Sequence, residues 1–319
     1  MDHKKVLRNV TLLTTGALAT MHFFNKYLYT NAVSQDLLQE EQKEYYDWKN
    51  GMIFYTVQGT GKPLLLIHDL DLSSSSYEWS YVVKELSKTH KVYALDLLGC
   101  GCSEKNNFIY TNYLYMQMIR DFIKDVIKEK ADVVATGHSI AFTIMACAEK
   151  DTMIDQLVLI SPESVSFESD FPEFLCEITK YFFAIPVIGR FAYNLIFKKE
   201  TLEQKFYTKY FAEESHMTID TLNAYYESLQ KDHAHGRYLY SSILCGFMNY
   251  NIQKSLSSVE NSVSILIGSE DIESKSHTEE YKNLLSKVEV EEISHAKYLP
   301  QLEVPEKFVE TLERVLVSQ

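Results

Sequence analysis

Five short, continuous apolar runs set the frame: Pro63–His68 (PLLLIH), Lys91–Asp96 (KVYALD), Asp132–Gly137 (DVVATG), Gln156–Ser161 (QLVLIS) and Val263–Gly268 (VSILIG). A strand that is apolar at successive positions, rather than at alternate ones, is buried on both faces, as strands of a parallel sheet are. Helical periods fall near 76–88, 112–129, 139–150, 275–286 and 303–317. Strand–helix alternation of this kind predicts an α/β fold, a mostly parallel sheet with helices on both faces. Lys49-Asn50-Gly51 separates Tyr45–Trp48 from Met52–Gln58. Asn-Gly supplies the positive φ angles of a tight turn, so the sheet is expected to open with an antiparallel hairpin. The alternating run Lys287–Ile293 (KVEVEEI) suits an edge strand.

One interval breaks the rhythm. Residues 163–255 hold no buried-strand run but much aromatic, helix-compatible sequence. They are expected to form a helical cap inserted into a core made of residues 45–162 and 256–319. Phe182, Phe183, Phe191, Tyr193 and Phe197 either line an apolar channel there or form the cap's own core.

Residues 1–44 form a separate segment. Lys4, Lys5 and Arg8 precede a moderately apolar stretch from Val10 to Phe24, shorter than the ~20 residues a spanning helix needs. Val6, Val10, Leu13, Ala17, Met21, Phe24 and Leu28 recur at spacings of three and four, one stripe of a helix. A basic amphipathic helix lies on membrane surfaces, so membrane association through residues 4–28 is the expectation. A helix packed on the body of a cytoplasmic protein is the alternative. Residues 33–44 (VSQDLLQEEQKE) are expected to be a solvated helix or linker.

Charge narrows the partners. Lys and Arg number 31 against 44 Asp and Glu, a formal charge of −13. General nucleic-acid binding needs clustered cations and is excluded on that ground. The five cysteines (Cys100, Cys102, Cys147, Cys176, Cys245) follow no paired spacing, which argues against a disulfide scaffold and against zinc. The stretch 'DHAHGR' around His233 and His235 is expected to be a solvated turn.

The sharpest chemical signal is Gly137-His138-Ser139-Ile140-Ala141, where a buried strand hands over to a helix. A serine at such a strained corner, flanked by small residues, can project its hydroxyl as a nucleophile. Asp96-Leu97-Leu98-Gly99-Cys100-Gly101-Cys102-Ser103 follows the preceding strand, and His68-Asp69 the strand before that. Gly268-Ser269-Glu270-Asp271 follows a late strand, and Ser294-His295-Ala296-Lys297-Tyr298-Leu299-Pro300-Gln301-Leu302-Glu303 comes near the end. In this order, over about residues 45–317, the chain resembles the capped α/β-hydrolases.

The resemblance implies Ser139 as nucleophile and Asp271 as the acid that orients a catalytic imidazole. It also implies an oxyanion hole from the backbone of Ile140 and of the loop at Asp69 or Leu70. Glu163, after Ser161-Pro162, stands where some members place their acid and is the fallback. Two positions depart from the pattern. Asp69 replaces the usual glycine, setting a carboxylate beside a loop that should stabilise negative charge. Tyr298 occupies the usual histidine position, and a phenol with a reference pKa near ~10 is a poor base. His295 is the nearest imidazole in sequence.

Three readings stay open. His295 reaches Ser139 through a rearranged loop; another base acts, with His68 and His138 near the active-site end; or hydrolysis is lost and the site binds. The expected function is a serine hydrolase that cleaves an ester or related acyl bond of a small apolar molecule through an acyl-enzyme. The alternative is a catalytically inactive, hydrolase-like binding protein. Neither requires an organic cofactor or a metal.

Overall fold

The apolar runs become the middle of an eight-stranded sheet. The computed structural model describes residues 3–38, 43–149, 153–285 and 287–317. Residues 1–2, 39–42, 150–152, 286 and 318–319 lie outside it, and with them small parts of the expected N-terminal segment and helices. The strands are β1 (Glu44–Trp48), β2 (Gly51–Gln58), β3 (Lys62–Ile67), β4 (His90–Leu95), β5 (Ala131–Thr136), β6 (Ile154–Ile160), β7 (Ser166–Phe167), β8 (Tyr250–Asn251), β9 (Ser262–Gly268) and β10 (Glu289–Ile293). The large sheet has the order β1-β2-β4-β3-β5-β6-β9-β10. Only β1/β2 and β2/β4 are antiparallel; every other pair is parallel.

The central strands show why both of their faces must be apolar. Leu64 and Leu66 of β3 point to a core with Trp79, Leu86, Phe308 and Leu312. Leu65 and Ile67, their neighbours in sequence, point to the opposite core, with Tyr115, Phe122 and Phe142. Successive side chains of a strand face opposite ways, so each cover of helices claims every second residue. The opening hairpin turns at Lys49-Asn50, with Trp48 paired to Gly51. Gly51 alone takes a positive φ, 144°, and Asn50 does not.

Between β6 and β9 the chain leaves the sheet through helices Glu173–Ala184, Ile188–Ile196, Lys199–Lys205, Ile219–Ala234 and Arg237–Leu244. β7 and β8 pair antiparallel at the root of this excursion, a tie of two residues per strand that leaves no periodic signal. Phe183 and Tyr193 are buried among the excursion's own rings, whereas Phe182 is exposed. The 'DHAHGR' stretch breaks a helix: Asp232, His233 and Ala234 take φ of 52°, 57° and 58°. Asp232 faces Lys105 and the His233 ring lies 4.0 Å from that of Tyr29.

The N-terminal helix runs from His3 to Ala32. Its first eighteen residues are exposed, and contact with the body begins near Met21. Val6, Val10 and Leu13 of the expected stripe face no core, and the buried residue is polar Asn25. Asn25 donates to the Val187 carbonyl (3.0 Å) and accepts from Asn194 (2.9 Å), which accepts in turn from Gln230 (2.9 Å). A chain of satisfied buried amides costs nothing in unpaired groups and fixes the helix in one register. No helix among the described residues is long and apolar enough to cross a membrane. The following segment is not a free linker, because the Leu37 N–H donates to Glu227 (2.8 Å) and Leu38 is buried.

Candidate functional site

The corner after β5 holds the residues that the sequence singles out, but in a different frame. Gly137 takes φ +55° there, and the helix Ser139–Cys147 begins two residues later. In a nucleophile elbow the strained residue is the one whose side chain projects from the corner. That residue is Gly137. Ala135-Thr136-Gly137-His138-Ser139 thus supplies the small-x-corner-x-small pattern, and Ser139 fills the second small position at the head of the helix.

Ser139 behaves accordingly. It is fully buried, and its hydroxyl donates back to the Thr136 carbonyl at 2.7 Å. Its oxygen thus points into the strand–helix junction, not out of the corner as the nucleophile reading expects. The Ile140 N–H is also occupied, donating to the Gly137 carbonyl at 3.2 Å as part of the turn. His295 is exposed, at φ 61°, with its N–H on Ser269 Oγ (3.1 Å). It therefore does not reach Ser139. Asp271 caps the helix Ile272–Leu284, accepting the Ser274 N–H at 3.1 Å. Its second oxygen is buried without a hydrogen-bond partner among the described residues.

The space over Gly137 is filled. A Cβ on Gly137 would overlap the Tyr298 hydroxyl and lie 2.5 Å from Asp69 Oδ1. Asp69 Oδ1 accepts the His138 N–H at 2.8 Å, and Asp69 Oδ2 accepts the Tyr298 hydroxyl at 3.1 Å. His138 is the residue after the corner, the position whose N–H serves as an oxyanion donor in a nucleophile elbow. The chain's own carboxylate sits where an oxyanion would be held. Asp69 thus enters the oxyanion site as an acceptor, not through its backbone, whose N–H donates to Glu78 Oε2 (3.2 Å). Leu70 is buried beside a small cavity.

Around this core the charges are paired. The Tyr298 hydroxyl lies equally close to Glu163 Oε1 (3.1 Å), its one proton shared between the two carboxylates, and Lys209 Nζ donates to the same glutamate oxygen at 2.8 Å. Lys209 lies 4.3 Å from the centroid of the Tyr298 ring, within cation–π range. Burial pushes Glu163 up, but His138 and Lys209 outweigh it and hold its carboxyl below the usual range. Burial pushes the Tyr298 phenol well above its usual value, and Asp69 and Glu163 push it further, so it stays a donor. Glu78 is pushed up to about 8, by burial first and by Asp69 second. His68 is neutral, with burial lowering its pKa; its Nε2 accepts the Leu97 N–H (2.9 Å), and Nδ1 lies 2.7 Å from the Asp69 carbonyl.

The helical excursion is clamped over the corner. Lys205 binds Asp71 at 2.7 Å, Lys209 binds Glu163, and Glu303 accepts the Ala212 N–H at 2.6 Å. The space left beside His138, Leu70, Phe167 and Tyr250 is a cavity of about 50 Å³. Sites for small organic ligands run to several hundred cubic ångströms. A larger groove of about 570 Å³ lies elsewhere, between the N-terminal helix and the excursion, beside Phe24, Leu28, Leu195, Lys199 and Tyr226. Among the described residues no group of three or more His, Cys, Asp or Glu gathers as metal ligands.

Sequence reasoning missed the frame at Gly137 and the part played by Lys209 and Glu78. One signal was present: residues 135–139 fit the small-x-corner-x-small pattern as well as residues 137–141 do. Glu163, the fallback acid, does join Tyr298 at the centre.

Residues 64–311 match the family described as the alpha/beta hydrolase family. A hydrolase of 2-hydroxy-6-oxo-6-(2'-aminophenyl)hexa-2,4-dienoic acid from Metapseudomonas resinovorans is 28% identical over 116 residues, 36% of this chain and 40% of that protein. An uncharacterized protein of Mycobacterium bovis is 29% identical over 114 residues, 35% of this chain and 32% of that one. The alignments thus span well under half the length of the curated relatives. Among solved structures, the serine hydrolase CarC of carbazole degradation superposes with a TM-score of 0.70 at 17% identity, covering 87% of this chain and 99% of that one. A bacterial membrane phospholipase A superposes with a TM-score of 0.68 at 18% identity, covering 99% of this chain and 98% of that one. Structural likeness at such identity carries the fold alone. By its sequence match and its eight-stranded, mostly parallel sheet, the chain belongs to the α/β-hydrolase family.

Proposed function

We propose that this chain is a catalytically silent α/β-hydrolase that works by binding, held at a membrane surface by residues 4–28. One observation carries the first half: a glycine stands at the corner, and the Asp69 carboxylate occupies the His138 N–H that would hold an oxyanion. Acyl transfer needs a nucleophile, a base beside it and free donors for the developing charge. Gly137 offers no nucleophile, Tyr298 no base, and the donors are taken by Asp69 and Glu78.

The competing reading is a serine esterase acting on a small apolar ester through an acyl-enzyme at Ser139, with Asp271 and His295. Family membership supports it. It requires Ser139 to turn out of the strand–helix junction and His295 to leave the surface. Hydrolysis of short p-nitrophenyl esters by the wild type and by Ser139→Ala separates the two. Equal, background-level rates are expected; a wild-type rate tenfold above that of Ser139→Ala would favour the esterase.

The membrane half rests on the helix His3–Ala32, whose exposed first part carries Lys4, Lys5 and Arg8 beside Leu7, Val10, Leu12 and Leu13. The superposition with the membrane phospholipase A takes in nearly the whole chain, this helix included.

A further inference from the structure

We infer that the helix Glu173–Ala184 shares the membrane contact with the N-terminal helix, the two forming one docking surface for an anionic bilayer. The inference rests on the membrane-surface reading above and adds a second element to it. Phe174, Ile178, Tyr181 and Ile185 recur at spacings of four, three and four, one stripe of that helix and its end. The first three are 78%, 65% and 72% exposed, while Cys176 and Phe183 on the opposite side are buried in the excursion. A helix apolar on both faces has already satisfied one of them. Scattered apolar residues on a surface are ordinary, but a continuous patch marks a binding surface.

The stripe ends where the chain meets the N-terminal helix. Asn25 donates to the Val187 carbonyl just past Ile185, and the Phe24 ring lies 5.4 Å from that of Phe191. Phe23 and Tyr27 on the one side and Leu195 and Ile196 on the other extend the exposed apolar area. The Asn25–Asn194–Gln230 amide chain fixes the N-terminal helix against the helices Ile188–Ile196 and Ile219–Ala234. Residues 3–20 then reach roughly 27 Å along the helix axis.

Charge selects the occupant. The chain carries −13 overall, yet the helix from His3 to Ala32 has Lys4, Lys5, Arg8 and Lys26 and no acidic residue. On the N-terminal helix, apolar side chains beside basic ones, on a protein otherwise acidic, fit a surface that is apolar below and anionic above, which is the interface of a bilayer with anionic headgroups; the helix Glu173–Ala184, where Glu177 pairs with Lys180, brings apolar area rather than positive charge. A second copy of this chain would bring its own excess of cations to the same face.

The test uses the full chain and vesicles of phosphatidylcholine with or without about 30 mol% phosphatidylserine. Three proteins are compared by flotation: wild type, the triple variant Phe174→Ser/Ile178→Ser/Tyr181→Ser, and Lys4→Gln/Lys5→Gln/Arg8→Gln. The substituted side chains are exposed, and thermal melting checks that folding is kept. Wild type is expected to float with anionic vesicles at least tenfold better than with neutral ones, and each variant to lose at least tenfold. Trp48 and Trp79 are buried, so Phe174→Trp adds an exposed reporter, and brominated lipid is expected to quench it. Wild-type binding kept by the Phe174 triple variant, without quenching, overturns the inference and leaves the N-terminal reading standing. No wild-type binding overturns both. A dimer in solution that the Phe174 triple variant dissociates would assign the face to a second copy and overturn the inference as well.

Discussion

Two regions of this molecule treat their side chains in opposite ways. At the corner above the sheet the groups around Gly137 answer one another: carboxylate by amide and phenol, lysine by glutamate, ring by cation. Along the N-terminal helix and the helix Glu173–Ala184, large apolar side chains are left uncovered. A folded chain keeps buried polar groups satisfied because an unpaired one costs about 1–3 kcal/mol. The closed corner is thus what stability alone demands. The open face is what stability alone would remove, and function is the reason to keep it. On the reading proposed above, the family's usual site has become part of the core, while the working surface has moved to the periphery.

The largest effect should come from putting a side chain back at the corner. Gly137→Ser meets the Tyr298 hydroxyl and Asp69, and it also forces a non-glycine residue to φ +55°. Overpacking and left-handed strain together predict a loss of about 3–5 kcal/mol in urea unfolding. An unchanged midpoint would mean that the corner is not filled. Asp69→Ala comes next, because it strands the His138 N–H and leaves the Tyr298 hydroxyl with Glu163 alone. A loss of about 2–4 kcal/mol is expected, and Tyr298→Phe in the same background should recover part of it.

The buried Glu78 gives the pH test. Its carboxyl keeps a proton up to about 8 in the folded protein, whereas an unfolded carboxyl loses it near 4.5. Between those values the folded state binds more protons, so this group's contribution is present below pH 4.5 and is lost as pH rises towards 8. Wild type should therefore lose about 2 kcal/mol relative to Glu78→Gln between about pH 6 and 7.5. A parallel pair of stability curves would show that Glu78 is ionised and answered by a cation. Smaller still, Ser139→Ala should cost about 1 kcal/mol, the worth of one buried hydrogen bond to Thr136. His295→Ala should fall within about 0.5 kcal/mol, as surface changes do.

The sheet was legible because a doubly buried strand cannot hide its composition: PLLLIH and QLVLIS map onto β3 and β6 almost residue for residue. The two-residue pairing of β7 and β8 was not, since so short a tie has no period. At the corner, Asp69 and Tyr298 were visible as departures from the family pattern. What the sequence could not reveal is that they are one departure. The Tyr298 hydroxyl and the Asp69 carboxylate meet across 229 residues, and only the folded chain puts both into the space over Gly137. The frame slipped because Ser139 offered a familiar pattern, and spacing cannot tell which of two overlapping small-x-x-x-small runs carries the strain. The N-terminal helix misled differently: its apolar period was real, but the residue it buries is an asparagine, chosen by the amide chain it completes.

The central claim is that no nucleophile stands at this corner, and labelling with a serine-directed fluorophosphonate tests it most directly. Wild type, Ser139→Ala and the triple variant Gly137→Ser/Asp69→Gly/Tyr298→His would be treated side by side and the adducts mapped by mass spectrometry. The account predicts no adduct at residues 137–139 in the first two, and an adduct at position 137 in the third alone. A wild-type adduct on Ser139 that disappears in Ser139→Ala would contradict it.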